Sequence, residues 1–365
     1  MYIKKLELKN YRNYKDFSIE FSKNLNLIVG QNAQGKTNLI EAISLSSIGK
    51  SFRTLKDNEL IKFGEDTAVV KVWAEKDVID TNVEISINKD YKKSIKKDGN
   101  AIKRTSELID NIIIVIFSPE DLKIIKDEPE KRRKFIDREL AQIKPAYYDC
   151  LSNYKKILAQ RNAYLKEDFV DDSILIIWDE QLIAYGSKLM KMRNDFINEI
   201  NNFSGKIHSN ITNGKEILRI EYDPNIKFDE NIEKQKDIFR EIINKSLNVD
   251  KKLRTTTKGP HKDDMLFFID EINVRNFGSQ GQQRTCALSL KLAELDFIKN
   301  ESGEDGILLL DDVMSELDEE RRDYLIKTLK NNQIFVTTTD LEENLIRNYG
   351  DAKIIEIKKE KDMPI

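Results

Sequence analysis

The chain has 365 residues, of which 39% are hydrophobic and 34% charged, with a net charge of −3. That length suits two ordinary domains or one large domain carrying an insertion, and the apolar content is enough for a full core. No apolar run approaches the ~18 residues of a membrane span. With only two His there is no zinc constellation, and the near-neutral balance requires any nucleic-acid contact to use a local basic patch.

The opening, MYIKKLELKNYRNY, has no apolar h-region and does not read as a signal peptide. Alternation in IKKLELK and DFSIEF and the apolar LNLIVG predict three strands, and KTNLIEAISLSSI predicts a helix. Strands follow at AVVKVWAE and NVEISIN. The next stretch, KKSIKKDGNAIKR, carries Asp98-Gly99, a hairpin turn signal. NIIIVIF is continuously apolar and reads as a buried strand. It runs into SPEDL, which predicts a helix start with Ser118 as N-cap and Pro119 in the first turn.

From about Pro129 to Asn213 the pattern is amphipathic, charged and helical without a sustained heptad, so a compact helical lobe is expected rather than a long coiled coil. EILRIEYD predicts a strand and EKQKDIFREIINKSL a helix. After them come the apolar LFFIDEINV, the polar FGSQGQQRT, a helix, the strand GILLLDDV, a further helix, and strands around QIFVTTTD and AKIIEIKK. Cys150 and Cys286 sit in apolar helical contexts and read as reduced, buried thiols of a cytoplasmic protein.

LIVGQNAQGKTN contains Gly30-x-x-x-x-Gly35-Lys36-Thr37, a P-loop pattern between a predicted strand and a predicted helix. Phosphate oxygens need several backbone N–H donors converging on one point. Glycines let the chain curl closely enough to supply them, and the helix adds its positive end. Gly30, Gln31, Asn32, Ala33, Gln34, Gly35, Lys36, Thr37 and Asn38 are therefore candidate ATP-binding residues, with Lys36 reaching the β- and γ-phosphates and Thr37 a ligand of Mg²⁺. ILLLDDVMSELD ends an apolar strand in Asp311 and Asp312. A buried strand-end acid is expensive to desolvate unless it meets a cation or a donor. Asp311 is expected in the Mg²⁺ shell and Asp312, with Lys36, in catalysis beside the attacking water. In the polar stretch, Ser279 followed three places on by Gln282 is a capping box, and Gly281 leaves the first helical turn bare for an anion. By itself that is only a well-capped helix.

Together the P-loop, the aspartate pair and the capped Ser279/Gly281/Gln282 helix resemble the head of an ABC-type ATPase. The motifs LKNYRNY, SFRTLKDNELIKFG, FSPEDLKIIKDEPEKRRKFIDREL, YKKILAQRNAYLK, TTTKGPHKDD and FGSQGQQRTCALSLKLAE narrow this to a resemblance to the RecF family of bacterial recombinational repair proteins. The resemblance implies an α/β fold: a P-loop ATPase head with a mixed sheet, plus a helical lobe inserted between the P-loop and the signature. The head would comprise residues 1–120 and 300–365, and the helical lobe with the signature residues 121–299. It implies ATP and Mg²⁺ as cofactors, Arg12 and Asn13 near the nucleotide, and Ser279 facing ATP held by the Lys36 of a second copy. Ser315 and Asp318 would fall in a loop that crosses to that copy.

By the same resemblance the protein would bind DNA, dimerise on ATP, hydrolyse it slowly, and work with RecR-like and RecO-like partners to load RecA at gaps, without a membrane. No Q-loop glutamine is evident; the turn at Ser118 stands in the equivalent place. The resemblance gives no chemistry to His261, Lys262 or Asp263. Candidate DNA contacts are Lys92, Lys93, Lys96 and Lys97, the run Lys131 to Lys134, and Arg53, each of which reads equally as a solvated face. A transporter ATPase and a metabolic P-loop kinase stay open as alternatives. The absent switch histidine and the helical insertion argue against the first, and the signature helix against the second.

Overall fold

The structure, a computed structural model, describes residues 1–76, 78–109, 111–329, 332–339, 346–347 and 351–358. Asp340 and Lys359, the last residues of two expected strand segments, lie outside the described residues. The chain divides into two compact units, Met1–Leu122 with Glu294–Ile365, and Lys123–Ala293.

In the first unit, β1 (Tyr2–Tyr11) and β2 (Tyr14–Glu20) form a hairpin closed by Arg12 and Asn13, with Tyr11 opposite Tyr14. β3 (Leu25–Val29) leads through the glycine-rich loop into α1 (Lys36–Ile48). β4 (Thr67–Lys76) and β5 (Ile79–Asn88) follow, then β6 (Ser94–Lys97) and β7 (Asn100–Ala101). The last two are joined at Asp98 and Gly99, both at positive φ, as the Asp-Gly signal predicts. These strands, β3 excepted, make an antiparallel sheet in the order β2-β1-β4-β5-β6-β7.

β8 (Ile114–Phe117) belongs to a second, parallel sheet. It is completed by β12 (Ile307–Asp311), β13 (Ile334–Thr338) and β14 (Ala352–Glu356), in the order β14-β3-β13-β12-β8. α1 is buried almost all round, polar residues such as Glu41 and Ser44 included, because it packs on strands of both sheets: Leu39, Ile40, Ala42 and Ile43 join Ile28, Val70, Ile85 and Leu309 in one core. α8 (Glu319–Thr328) connects β12 to β13.

The second unit holds α2 (Pro129–Ile143), α3 (Pro145–Tyr164), α4 (Asp172–Ile211) and α5 (Ile232–Leu253). Its antiparallel sheet is β9 (Leu218–Asp223), β10 (Asp264–Ile269) and β11 (Ile272–Asn273), with β10 central. A single turn, α6 (Val274–Phe277), precedes α7 (Gln280–Ser302), whose later residues belong to the first unit. α4, about 60 Å long at 1.5 Å per residue, packs on α3, α5 and β9, so the expected helical lobe forms without a projecting coiled coil.

Two local expectations are corrected. SPEDL opens a turn and a three-residue 3₁₀ segment, Asp121–Lys123, rather than an α-helix. The carboxylate of Asp121 accepts from both the N–H and the hydroxyl of Ser118 (2.8 Å each), so Ser118 is the donor and not a cap acceptor. The run Lys131 to Lys134 is a basic face only in part, with Lys131 and Lys134 exposed and Arg132 withdrawn. Arg132 is 1% exposed and grips Asp264 through two N–H donors at 2.6 and 2.9 Å, and Lys134 pairs with Glu130 at 2.7 Å. Both cysteines are free and buried, as expected, and burial pushes the Cys150 thiol up to about 11.

Candidate nucleotide site

The loop between β3 and α1 is shaped by backbone that only glycine or a strained residue supplies. A Cβ on Gly30 would lie 2.7 Å from Gln34 Oε1 and 2.8 Å from Ile357 O. Gly35 sits at φ 108° and Ala33 at φ 64°. The Gly30 N–H donates to Thr338 O (3.2 Å), fixing the loop to β13, and the Gln31 N–H donates to Gln34 Oε1 (2.8 Å), closing the loop on itself. Asn32 and Ala33 form its exposed tip. The first N–H groups of α1 have no intrahelical acceptor and point back into the curl. Lys36 is 4% exposed and its ammonium donates to Gly30 O at 2.7 Å, across the mouth of its own loop.

The hairpin turn of β1 and β2 braces this loop. The Tyr14 hydroxyl donates to Gly35 O (3.0 Å), Asn13 Nδ2 donates to Gln34 O (3.0 Å), and Asn38 Nδ2 donates to Asn13 Oδ1 (2.8 Å). Asn13 is therefore on the loop itself. Arg12 is held behind it: its guanidinium makes two hydrogen bonds to the fully buried Glu41 (2.9 and 2.8 Å) and a third to Glu59 O (2.7 Å). Arg53 donates to Asn38 Oδ1 (2.8 Å) and so joins the same network.

Asp311 ends β12 beside the loop. One of its oxygens accepts from both Thr37 Oγ1 (3.0 Å) and Thr337 Oγ1 (2.9 Å). Burial holds its carboxyl above the usual carboxylate range, against the pull of the two hydroxyls. A carboxylate and a hydroxyl are hard oxygen donors of the kind Mg²⁺ takes, and a cation there would offset the desolvation that Asp311 suffers, so these residues fit the metal expected of them. Among the described residues no cluster of three or more His, Cys, Asp or Glu offers another metal site. Asp312 is half-buried at φ 53°, and its N–H donates to Thr337 Oγ1 (2.9 Å). Ser315 donates to Asp312 O (3.0 Å), and Asp318 caps α8 by accepting from the Arg321 N–H (3.0 Å).

The signature stretch lies in the second unit. Gly278 is needed for close approach, since a Cβ there would meet Val274 O at 2.7 Å. The capping box is reciprocal: the Ser279 N–H donates to Gln282 Oε1 (2.9 Å) and the Gln282 N–H donates to Ser279 Oγ (3.2 Å). Ser279 and Gly281 are exposed.

The first unit thus brings together Gly30 to Asn38, Asn13, Asp311 and Asp312, with Arg12 one shell back; Ser279, Gly281 and Gln282 form a separate local structure in the second unit. Sequence reasoning missed Tyr14, Glu41 and Thr337. Of these only Thr337 leaves a signal, in the strand segment QIFVTTTD, which has no switch histidine. Among the candidate DNA contacts, Lys93 pairs with Asp57 (2.8 Å) and Lys96 with Glu84 (3.2 Å).

A P-loop joined by its threonine to a strand-end aspartate, in a chain that also carries a capped Ser-x-Gly-Gln helix, defines an ABC-type ATPase head. A family model described as the RecF/RecN/SMC N-terminal domain matches residues 2–363. The chain is 47% identical to the DNA replication and repair protein RecF of Alkaliphilus oremlandii, covering 94% of each chain. It is 43% identical to that of Clostridium tetani, covering 98% of each. A solved structure of the recombination mediator protein RecF with ATP in the RecFOR pathway superposes with a TM-score of 0.88 at 39% identity, covering 94% of this chain and 93% of the other. An Smc head superposes at 0.56 and 19% identity, over 98% and 94%, which speaks for the fold alone. The chain belongs to the RecF family of DNA replication and repair proteins.

Proposed function

We propose that this chain is a cytoplasmic, ATP-dependent DNA-binding protein of recombinational repair and replication-fork maintenance that closes as a homodimer on ATP and opens on slow hydrolysis. The observation that carries this reading is the hydrogen bond from Thr37 to Asp311, which joins the phosphate loop to a strand-end carboxylate 274 residues further on. The loop N–H groups and the start of α1 receive the phosphates, and the Lys36 ammonium turns from Gly30 O to the β- and γ-phosphates. Thr37 and Asp311 would hold Mg²⁺, which would supply positive charge to offset that of the phosphate oxygens. Asp312 orients the attacking water and takes its proton. Ser279 and the bare turn at Gly281 present a helix N-terminus to the γ-phosphate held by a second copy, so loss of that phosphate weakens the closed state. The solved relative described as a recombination mediator in the RecFOR pathway supports RecO-like and RecR-like partners; with them this chain would help load RecA at gaps.

Sedimentation with ATP, with ADP, and with ATP plus a gapped duplex tests the reading. A dimer is expected with ATP, with or without the duplex, and not with ADP. Lys36→Met should lose nucleotide binding and dimerisation together, whereas Ser279→Arg should bind ATP as a monomer and fail to dimerise. A dimer that forms normally in Ser279→Arg would exclude the trans arrangement.

A further inference from the structure

The cap at Ser279 is not self-sufficient. The side-chain amide of Gln282 uses both ends: Oε1 accepts from the Ser279 N–H, and Nε2 donates to Glu216 Oε1 at 3.0 Å. An amide can be turned over at almost no cost, and turned over it would set its NH₂ against the Ser279 N–H, donor against donor. What decides its direction is Glu216, because an ionised carboxylate only accepts.

Glu216 is itself fixed. It lies between α4 and β9, where α4 is stopped by Asn213 and Gly214, both at positive φ, and the Gly214 N–H returns to Ser209 O (2.8 Å). Its other oxygen is 3.1 Å from Nε2 of His208, a fully buried ring whose Nδ1 is 3.2 Å from Ser289 Oγ on α7. The Ser289 hydroxyl has one proton and two acceptors in reach, Nδ1 and Thr285 O on the same helix (2.8 Å); given to Nδ1, it leaves the ring proton on Nε2, where Glu216 accepts it. Glu216 is thus held in the frame of the very helix whose first turn it orients.

We infer that Glu216, anchored by His208, is a positioning residue that sets the amide of Gln282 so that the signature cap faces the γ-phosphate ready-made. This rests on the ATP-closed dimer proposed above for its consequence, but not for its local test. Glu216→Lys replaces the acceptor with a donor and draws Gln282 Oε1 away from Ser279. Adding Gln282→Glu to that variant restores an acceptor able to serve both neighbours. Glu216→Gln, which can still offer an oxygen, keeps the arrangement and serves as the conservative control.

Two measurements on the full chain decide it. Amide exchange at Ser279 in the nucleotide-free protein should speed up about fivefold in Glu216→Lys, the worth of one capping interaction, and return in the double variant. The dimer Kd in ATP should weaken about twenty-fivefold, because two such sites close each dimer, with ATP binding to the monomer unchanged. Unaltered exchange at Ser279 in Glu216→Lys, or a double variant no better than the single one, overturns the inference. A wild type that stays monomeric in ATP overturns the dimer reading instead, and the exchange measurement still decides the role of Glu216.

Discussion

Asp311 ends β12 in hydrogen-bond contact with Thr37, the first residue after Lys36 in α1. Its carboxylate is 6% exposed and is met by two neutral hydroxyls, weaker partners than a cation. Asp311→Asn should therefore leave the nucleotide-free chain as stable as before, or firmer by about 1 kcal/mol. ATP turnover in Mg²⁺ should fall at least ~100-fold. Calorimetry and phosphate release check the two halves, and unchanged turnover would remove Asp311 from the site. Asp312→Asn should slow turnover while ATP still drives closure, since its N–H bond to Thr337 is a backbone contact the substitution keeps. The glycines, Lys36 and the aspartates were legible in the sequence because a phosphate cradle demands fixed residue types at fixed spacing. Tyr14 and Glu41 were not. A loop carbonyl accepts from any donor that reaches it, and Tyr14 on Gly35 O and Asn13 on Gln34 O are set by how β1 turns into β2, not by local pattern.

At the scale of elements, the second unit is pinned by buried ions. Arg161 of α3 donates to Asp179 of α4 (2.6 Å), to Asp250 of α5 (2.7 Å) and to Thr256 (2.8 Å), and is wholly buried. Burial pushes the Asp179 carboxyl up while Arg161 pulls it down, so removing the arginine leaves two carboxylates without their cation. Arg161→Met should cost roughly 3–5 kcal/mol, read as a lower urea midpoint at constant slope. His261 adds a pH dependence. Nε2 faces Thr256 O (3.0 Å), which can only accept, so Nε2 bears the proton and Nδ1 accepts from the Tyr154 hydroxyl (2.7 Å). Burial, helped by Lys262, Arg133 and Arg193, lowers its pKa to about 4. The unfolded chain, near 6.5, binds the proton first. The stability from neutral His261 is therefore full above pH ~6.5 and drains away as pH falls towards 4. Denaturation midpoints across that window should drop in the wild type and flatten in His261→Gln. The helices and strands here were legible from their periods, but the charge clusters were not. KRRK reads as a basic surface, yet helical spacing puts Arg132 in line with Phe135, Ile136 and Glu139, all buried.

For the whole molecule, the P-loop belongs to one compact unit and the capped signature helix to the other. The motif order announced both pieces, whereas nothing local in the chain says which copy completes which site. If two copies complete each other's sites, nucleotide binding and association are linked, and the factor by which ATP tightens the dimer must equal the factor by which dimerisation tightens ATP. Typical couplings of about 1–3 kcal/mol correspond to roughly 5–150-fold per site. The test uses concentration alone. ATP affinity, measured with Asp312→Asn to suppress turnover, is titrated well below and well above the dimer Kd. The dimer Kd is measured separately in ATP and without nucleotide. The two ratios should agree once two sites per dimer are counted, and Ser279→Arg should abolish both together. An ATP affinity that is the same at every protein concentration, beside a dimer Kd that ATP does not change, would exclude a shared site and place the association surface elsewhere on the chain.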